Sequence, residues 1–247
     1  MIDVIDLHKS FNGFPVLKGI SLRVEKGEIL ALIGKSGYGK SVFLKHIVGL
    51  LKGDQGKVLI NGEDITTSKG TGLEKLRKKF GFLFQGGALF DSLNIFDNVA
   101  FPLREKTRMK ETDIRDKVLF ELEQVGLQGS EKKYPAEISG GMKKRAAFAR
   151  SLILDPEIML FDEPTTGLDP IIANTIHTLI KNIHERLKFT GIIVTHEIPR
   201  IFSIVQKVAM LNDGVIIAQG TPQEIQASPH PLVQQFIVGG TEIAEGN

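Results

Sequence analysis

Apolar residues in the first third of the chain alternate or form short solid runs, the spacing of strands rather than helices. Ile2 to Lys9 and Leu17 to Val24 read as a strand pair around an Asn12-Gly13 turn, and a Lys26-Gly27 turn leads into the unbroken run Ile29 to Ile33. Five consecutive apolar residues predict a strand buried on both faces, as in a parallel sheet. That run empties into Gly34 to Ser41 and then an apolar helix, Val42 to Leu51, which is expected to stop near Gly53. Lys57 to Ile60 begins another strand pair at the Asn61-Gly62 turn, and Phe80 to Phe84 is a further short strand.

From Ser92 to Leu154 the period lengthens, and Ile114, Val118, Leu122 and Val125 fall on one helical face. This stretch reads as an inserted helical subdomain. Strands return at Ile158 to Phe161 and Ile192 to Thr195, on either side of a helix, Ile172 to Leu187, striped by Ile172, Ile176, Leu179, Ile180, Ile183 and Leu187. Helix between apolar strands is the alternation of a doubly wound α/β fold. A hairpin over Asn212-Asp213-Gly214 joins Val208 to Leu211 with Val215 to Ala218, and Thr221-Pro222-Gln223-Glu224 is a capping box with proline at the first helical position. The tail, Thr241 to Asn247, is expected to fray.

Composition narrows the chemistry. The absence of cysteine excludes disulfides, thiolate metal sites and cysteine nucleophiles. A net charge of +2 from 31 basic and 29 acidic side chains, mixed along the chain, gives no nucleic-acid footprint. Met1 to Asp6 has neither a basic n-region nor an apolar h-region, and no apolar run approaches a membrane span. The protein is therefore expected in the cytoplasm, with any membrane role supplied by a partner.

Gly34-Lys35-Ser36-Gly37-Tyr38-Gly39-Lys40-Ser41 matches G-x4-G-K-[ST] between an apolar strand and a helix. Its glycines let backbone N–H groups surround a β-phosphate, Lys40 reaches β- and γ-phosphates, and Ser41 ligates Mg²⁺. Ile158 to Phe161 delivers Asp162 and Glu163 at a strand's C-terminal end, where Asp162 can hold Mg²⁺ through water and Glu163 can polarise an attacking water. Gln85, at the entry to the helical insert, could reach the metal or its water. His196 ends its strand facing the same crevice, and Thr166-Gly167-Leu168-Asp169 follows closely enough to line this site or a facing copy. Phe11 could stack on adenine, in competition with Phe14 or plain packing. His8, His46, His177, His184 and His230 have no metal-ligand spacing and read as surface or packing residues. The clusters Lys75-Leu76-Arg77-Lys78-Lys79 and Lys143-Lys144-Arg145 read as solvated helix faces, the second near enough to a helix N-terminus to help hold phosphate.

Ile138-Ser139-Gly140-Gly141-Met142, running into the basic helix Met142 to Leu154, offers a second anion cradle of N–H groups, a hydroxyl and a positive dipole end. Since the chain already has a complete phosphate loop, this cradle makes sense on the nucleotide of a partner molecule. The sequence predicts a dimer.

The phosphate loop, Gln85, Ser139-Gly140-Gly141, Asp162-Glu163, Asp169 and His196 stand in an order and spacing that resembles the ATP-binding-cassette ATPases, over essentially the whole chain. The resemblance implies one domain, 1–247: a P-loop NTPase, RecA-like core with an antiparallel β-subdomain (about 1–91 and 155–247) and a helical subdomain (about 92–154). It implies two copies that sandwich two Mg²⁺·ATP head to tail and drive integral membrane permease subunits from the cytoplasmic face of the inner membrane. By resemblance Phe11 is the adenine-stacking aromatic, Gly34 to Ser41 with Val42 the Walker A segment, and Gln85 the Q-loop glutamine, a metal ligand with Ser41 and Asp162. Glu163 and His196 match the catalytic glutamate and switch histidine, Ser139 to Met142 the signature, and Asp169 the D-loop aspartate.

Ile138 and Met142 depart from the commoner Leu-Ser-Gly-Gly-Gln, and Tyr38 is unusual in the loop. With Phe84 to Val99, Pro102 to Glu105 and the ending Pro231 to Ile237, these ends look like the ATPase of Mla/MCE-type phospholipid transport systems, which implies an MCE-domain or other substrate-binding partner. Polar amino-acid uptake fits the generic motifs equally but explains Phe84 to Val99 less well. A soluble cassette acting on nucleic acid fits a single, near-neutral cassette poorly.

Overall fold

The computed structural model describes residues 1–245, with side chains through Gly239. In chain order the elements are strands β1 (Ile2–Phe11), β2 (Phe14–Val24) and β3 (Ile29–Ile33), helix α1 (Lys40–Ile47), strands β4 (Gln55–Ile60) and β5 (Glu63–Asp64), helix α2 (Gly70–Arg77) and strand β6 (Phe80–Leu83). Helices α3 (Ile95–Lys106), α4 (Glu111–Gln124) and α5 (Gly140–Leu152) follow, then β7 (Ile158–Asp162), α6 (Pro170–Leu187), β8 (Thr190–Thr195), β9 (Lys207–Asn212), β10 (Val215–Gly220), α7 (Pro222–Gln226) and α8 (Pro231–Glu245).

Two sheets organise the chain. β9, β3, β8, β7 and β6 lie parallel with β10 antiparallel at one edge, while β2, β1, β4 and β5 form an antiparallel sheet. The solid apolar runs explain the placement. Ile29, Ala31 and Ile33 of β3 enter one core with α3 to α6, and Leu30 and Leu32 enter another with β1, β2 and α1. β7 divides the same way, Met159 and Phe161 against Ile158 and Leu160. Successive strand residues point to opposite faces, so a strand between two cores must be apolar throughout. The parallel strands also bring their C-terminal ends to one edge, where Gly34, Asp162 and His196 emerge.

The helical stripe of α4 is confirmed, with Ile114, Val118, Leu122 and Val125 all buried. Several element ends differ from expectation. α1 stops at Ile47 rather than near Gly53, because Gly49 takes a left-handed conformation (φ +68°) and the N–H groups of Leu50 and Leu51 both turn back to the Lys45 carbonyl. α5 begins at Gly140, two residues early, because Ser139 caps it. α6 begins at Pro170 behind the Asp169 cap, and Leu187, 40% exposed, leaves the core stripe. The Lys75 to Lys79 cluster is not simply solvated: Arg77 donates to the Val48 and Gly49 carbonyls at the end of α1, and Lys79 pairs with Glu63 at 3.1 Å. The tail expected to fray belongs to α8 as far as Glu245, and residues 246 and 247 lie outside the described residues. Among the described residues, no helix is long and apolar enough to cross a membrane.

Candidate functional site

The phosphate loop forms because only glycine fits at its entrance. Gly34 has φ +148° and lies against the Leu211 carbonyl, where any side chain would collide. The loop then turns into α1, whose N-cap, Gly39, supplies no side-chain hydrogen bond. The first N–H groups of α1 are thus kept for something other than a side chain. Lys40, 5% exposed, folds back so that its ammonium donates to the Gly34 carbonyl at 2.6 Å and the Lys35 carbonyl at 3.0 Å. Burial lowers its pKa, and Glu163 and Asp162 oppose that shift.

Two acidic residues meet this loop at the end of β7. Ser41 Oγ donates to Asp162 Oδ1 at 2.8 Å, and burial raises the Asp162 pKa against that bond. Glu163 takes a left-handed conformation (φ +49°), an uncommon state for a non-glycine residue. Its N–H donates to the Val194 carbonyl at 2.9 Å, which ties it to the next strand. Its carboxylate lies 3.8 Å from Lys40 Nζ and 2.8 Å from His196 Nδ1, and accepts from Thr166 Oγ1 at 3.0 Å. Behind it, Thr165 donates to Glu197 at 2.7 Å.

Lys40, Ser41, Glu163, Thr166 and His196 line a cleft of about 450 Å³ with Phe11, Val16, Ser36, Gly37, Gly39, Val42 and Gln85, and Asp162 is not on its walls but meets it through Ser41. Phe11 therefore stands in the cleft, 40% exposed, and Phe14 does not line it. Gly34, Lys35 and Tyr38 are not on the walls either. The first two contribute the carbonyls that hold Lys40, Lys35 also borders a neighbouring cavity with Leu232 and Phe236, and Tyr38 is half-buried.

Ile138 to Met142 lies elsewhere. Ser139 caps α5 by accepting the Met142 N–H at 3.3 Å, and Gly141 packs so closely on α6 that a Cβ would come within 2.5 Å of Ile172. Asp169 caps α6 through the Ile171 and Ile172 N–H groups, both at 3.0 Å. None of residues 139–142 or 169 lines the cleft, while Ser139, Gly140 and Asp169 face outward.

The residues present fit a nucleoside triphosphate with a divalent ion. A glycine loop, an uncapped helix start and a buried ammonium suit phosphate oxygens. Among the described residues no group of three or more acidic, histidine or cysteine side chains could hold a metal alone. A Ser41 hydroxyl beside the Asp162 carboxylate suits Mg²⁺, which takes few protein ligands and completes its shell with phosphate and water.

The basic cluster of α5 is a correction. Lys143 is exposed, but Lys144 is 7% exposed and its ammonium donates to the Gln85 carbonyl and, at 3.5 Å, to the Glu163 carbonyl. Arg145 donates to the Val125 and Gly126 carbonyls at 3.1 and 2.8 Å, so neither residue is a solvated face or a phosphate ligand. Lys144 was hidden in a charge run, although its i+4 and i+8 neighbours, Phe148 and Leu152, are core residues. Of the other five histidines, His46 and His184 bond backbone carbonyls at 2.8 and 2.9 Å, His177 is 2% exposed, His8 pairs with Asp6 at the surface and His230 accepts from the Leu232 N–H.

Comparison with known proteins fits this geometry. Residues 17–166 match the family described as "ABC transporter". The "Probable ribonucleotide transport ATP-binding protein mkl" of Mycobacterium leprae is 45% identical over 238 residues, 96% of this chain and 69% of that one. The "Intermembrane phospholipid transport system ATP-binding protein MlaF" of Haemophilus influenzae is 44% identical over 227 residues, 92% of this chain and 86% of that one. The dimeric, ADP- and phosphate-bound post-hydrolysis structure of the ATP-binding cassette MJ0796 superposes with a TM-score of 0.82 at 30% identity, covering 90% of this chain and 99% of that one. The chain belongs to the ABC transporter family and is one of its ATPases.

Proposed function

We propose that this chain is the ATP-hydrolysing subunit of a phospholipid transporter, working as a head-to-tail dimer on the cytoplasmic face of the inner membrane. The observation that carries the hydrolytic reading is Glu163, set between Lys40, His196 and Thr166 at the mouth of the phosphate loop. Lys40 exchanges its two carbonyl partners for β- and γ-phosphate oxygens. Gly34 to Val42 wraps the phosphates and Phe11 stacks on the base. Glu163 accepts a proton from the attacking water as the bond between the γ-phosphorus and the bridging oxygen breaks, releasing ADP and phosphate. His196 orients Glu163 and donates to the γ-phosphate. Ser41, Gln85 and Asp162 would hold Mg²⁺, which would supply charge neutralisation at the phosphate oxygens. Ser139 to Met142 of one copy closes the cleft of the other, with Asp169 beside it.

Exposed Phe84, Phe90 and Phe101, the last two with ring centroids 4.9 Å apart, surround the segment after Gln85 and give an apolar surface that supports contact with permease subunits. Phe101 belongs to the helical subdomain, residues 92–154, and Phe84 and Phe90 to the segment that leads into it. The lipid assignment is supported by the relatives named for phospholipid transport and by Phe84 to Val99. It brings with it an MCE-domain or other substrate-binding partner and no nucleic acid. The relatives named for ribonucleotide transport motivate a second reading. ATPase activity of the complex purified with its native permease separates the two: stimulation by phospholipid vesicles supports the proposal, and stimulation by a ribonucleotide other than the ATP substrate, with none by phospholipid, overturns it.

A further inference from the structure

Lys144 joins three parts of the molecule that a nucleotide cycle must keep in step. It lies one turn into α5, the helix that Ser139 caps, and its side chain is buried. Its ammonium donates to the Gln85 carbonyl, where the chain leaves β6 for the helical insert, and to the Glu163 carbonyl at 3.5 Å. Both acceptors are backbone atoms, so the link fixes the path of the main chain. Glu163 needs such support. Its left-handed conformation is held by β8 through its N–H, and Lys144 holds its carbonyl from α5. Burial lowers the Lys144 pKa, and Glu197, Asp162 and Glu163 oppose that shift.

Arg150 of the same helix provides a contrast. It donates to the Gly87 and Ala88 carbonyls, both at 2.8 Å, and so holds the turn after Gln85 without a bond to Glu163. Lys144 reaches both the turn and the carboxylate-bearing residue.

We infer that Lys144 is a positioning residue that ties the signature helix to the backbone of Gln85 and Glu163 in its own copy, so that engagement of Ser139 to Met142 by the partner's nucleotide sets the aim of this copy's Glu163. The inference rests on the assignment of Glu163 as base and of Ser139 to Met142 to the partner's nucleotide. Its consequence is that the two sites of a dimer hydrolyse cooperatively.

Steady-state hydrolysis across ATP concentrations and equilibrium ATP binding, measured on full-length Lys144→Met, Lys144→Gln and Glu163→Gln, test it. Lys144→Met should lower kcat about tenfold while ATP affinity stays within about twofold, since a misaimed base costs turnover and not binding. The Hill coefficient should fall toward about 1. Lys144→Gln keeps two of the three N–H donors and should fall between Lys144→Met and the unchanged protein, and if Lys144→Met does not fold the same split in Lys144→Gln decides. Unchanged kcat and cooperativity, or a kcat loss matched by an equal loss of ATP affinity, overturns the inference. Glu163→Gln separates the levels: if it is inactive while the Lys144 variants behave as wild type, the inference alone fails, and if it turns over normally the site assignment beneath it fails as well.

Discussion

Two helix starts in this chain look alike in sequence and differ in surroundings. α1 begins at an uncapped glycine and is ringed by chemistry: buried Lys40, Ser41 on Asp162, and Glu163 against His196. α5 begins at Ser139, whose hydroxyl is spent on the Met142 N–H, and what packs behind it is apolar, Ile172 on Gly141 and Leu168 beside Gly140. Three of the four cations of α5, Lys144, Arg145 and Arg150, turn to backbone carbonyls, and Lys143 alone is exposed. One start is therefore a site with its own reactive groups, and the other is a surface of donors with none. A donor surface exposed beside an outward Asp169 is the shape expected of half a shared site.

The sharpest way to break this contrast is to remove the groups that only α1 has. Glu163→Gln should lower turnover by about 10²–10⁴ while ATP binding persists and dimers accumulate, read by phosphate release and size-exclusion chromatography with ATP. Near wild-type hydrolysis would mean that Glu163 is not the base. Lys40→Ala should weaken ATP binding itself by roughly tenfold to a hundredfold, the scale of a lost charged hydrogen bond, seen by calorimetry. Unchanged affinity would show that Lys40 does not reach the phosphates.

At α5 the expected pattern inverts. Ser139→Arg should leave ATP affinity of the separated monomer within about twofold, and reduce concentration-dependent hydrolysis by roughly tenfold or more, because a bulky cation stands where the partner's nucleotide docks. Normal hydrolysis in that variant refutes the shared site.

The smallest effect lies in α6, on which the start of α5 packs. Burial, aided by Arg200, holds the His177 pKa down to about 4. The unfolded chain takes up this proton below about pH 6.5 and the folded chain only below about 4, so stability falls as pH drops through that window, by up to about 3 kcal/mol. Urea midpoints for His177→Gln should show a shallower decline between pH 6.5 and 4 than those of the unchanged protein. Parallel declines would place the acid sensitivity elsewhere.

What sequence could reveal followed the range of the physics. β3 was legible to the residue because a strand between two cores must be apolar throughout, and the phosphate loop because its glycines, Lys40 and Ser41 act within eight residues. The Asp162-Glu163 pair was legible from the apolar run before it. Contacts across the chain were not. Nothing local marks Lys144 as buried except its phase with Phe148 and Leu152, and the end of α1 was misplaced because Gly49 and Gly53 both offer a stop and only the carbonyls taken by Arg77 and the Lys45 turn choose between them. The Gly140-Gly141 pair disguised a helix start, since glycine is a poor helix former unless a cap such as Ser139 precedes it.

The shared site can be tested by mixing two variants that are each impaired, at an ATP concentration too low for the Lys40→Ala copy to bind. In a head-to-tail dimer each site joins the phosphate loop of one copy to Ser139 to Met142 of the other. A Lys40→Ala copy paired with a Ser139→Arg copy then rebuilds one intact site and collects both lesions in the second. Random pairing gives half mixed dimers with one site in two restored, so ATP hydrolysis should rise above the mean of the two components, to at most about a quarter of the unchanged protein's rate, since the copy that supplies the restored site's Glu163 still carries the Ser139 lesion. A mixture no faster than the mean of its components would contradict the account.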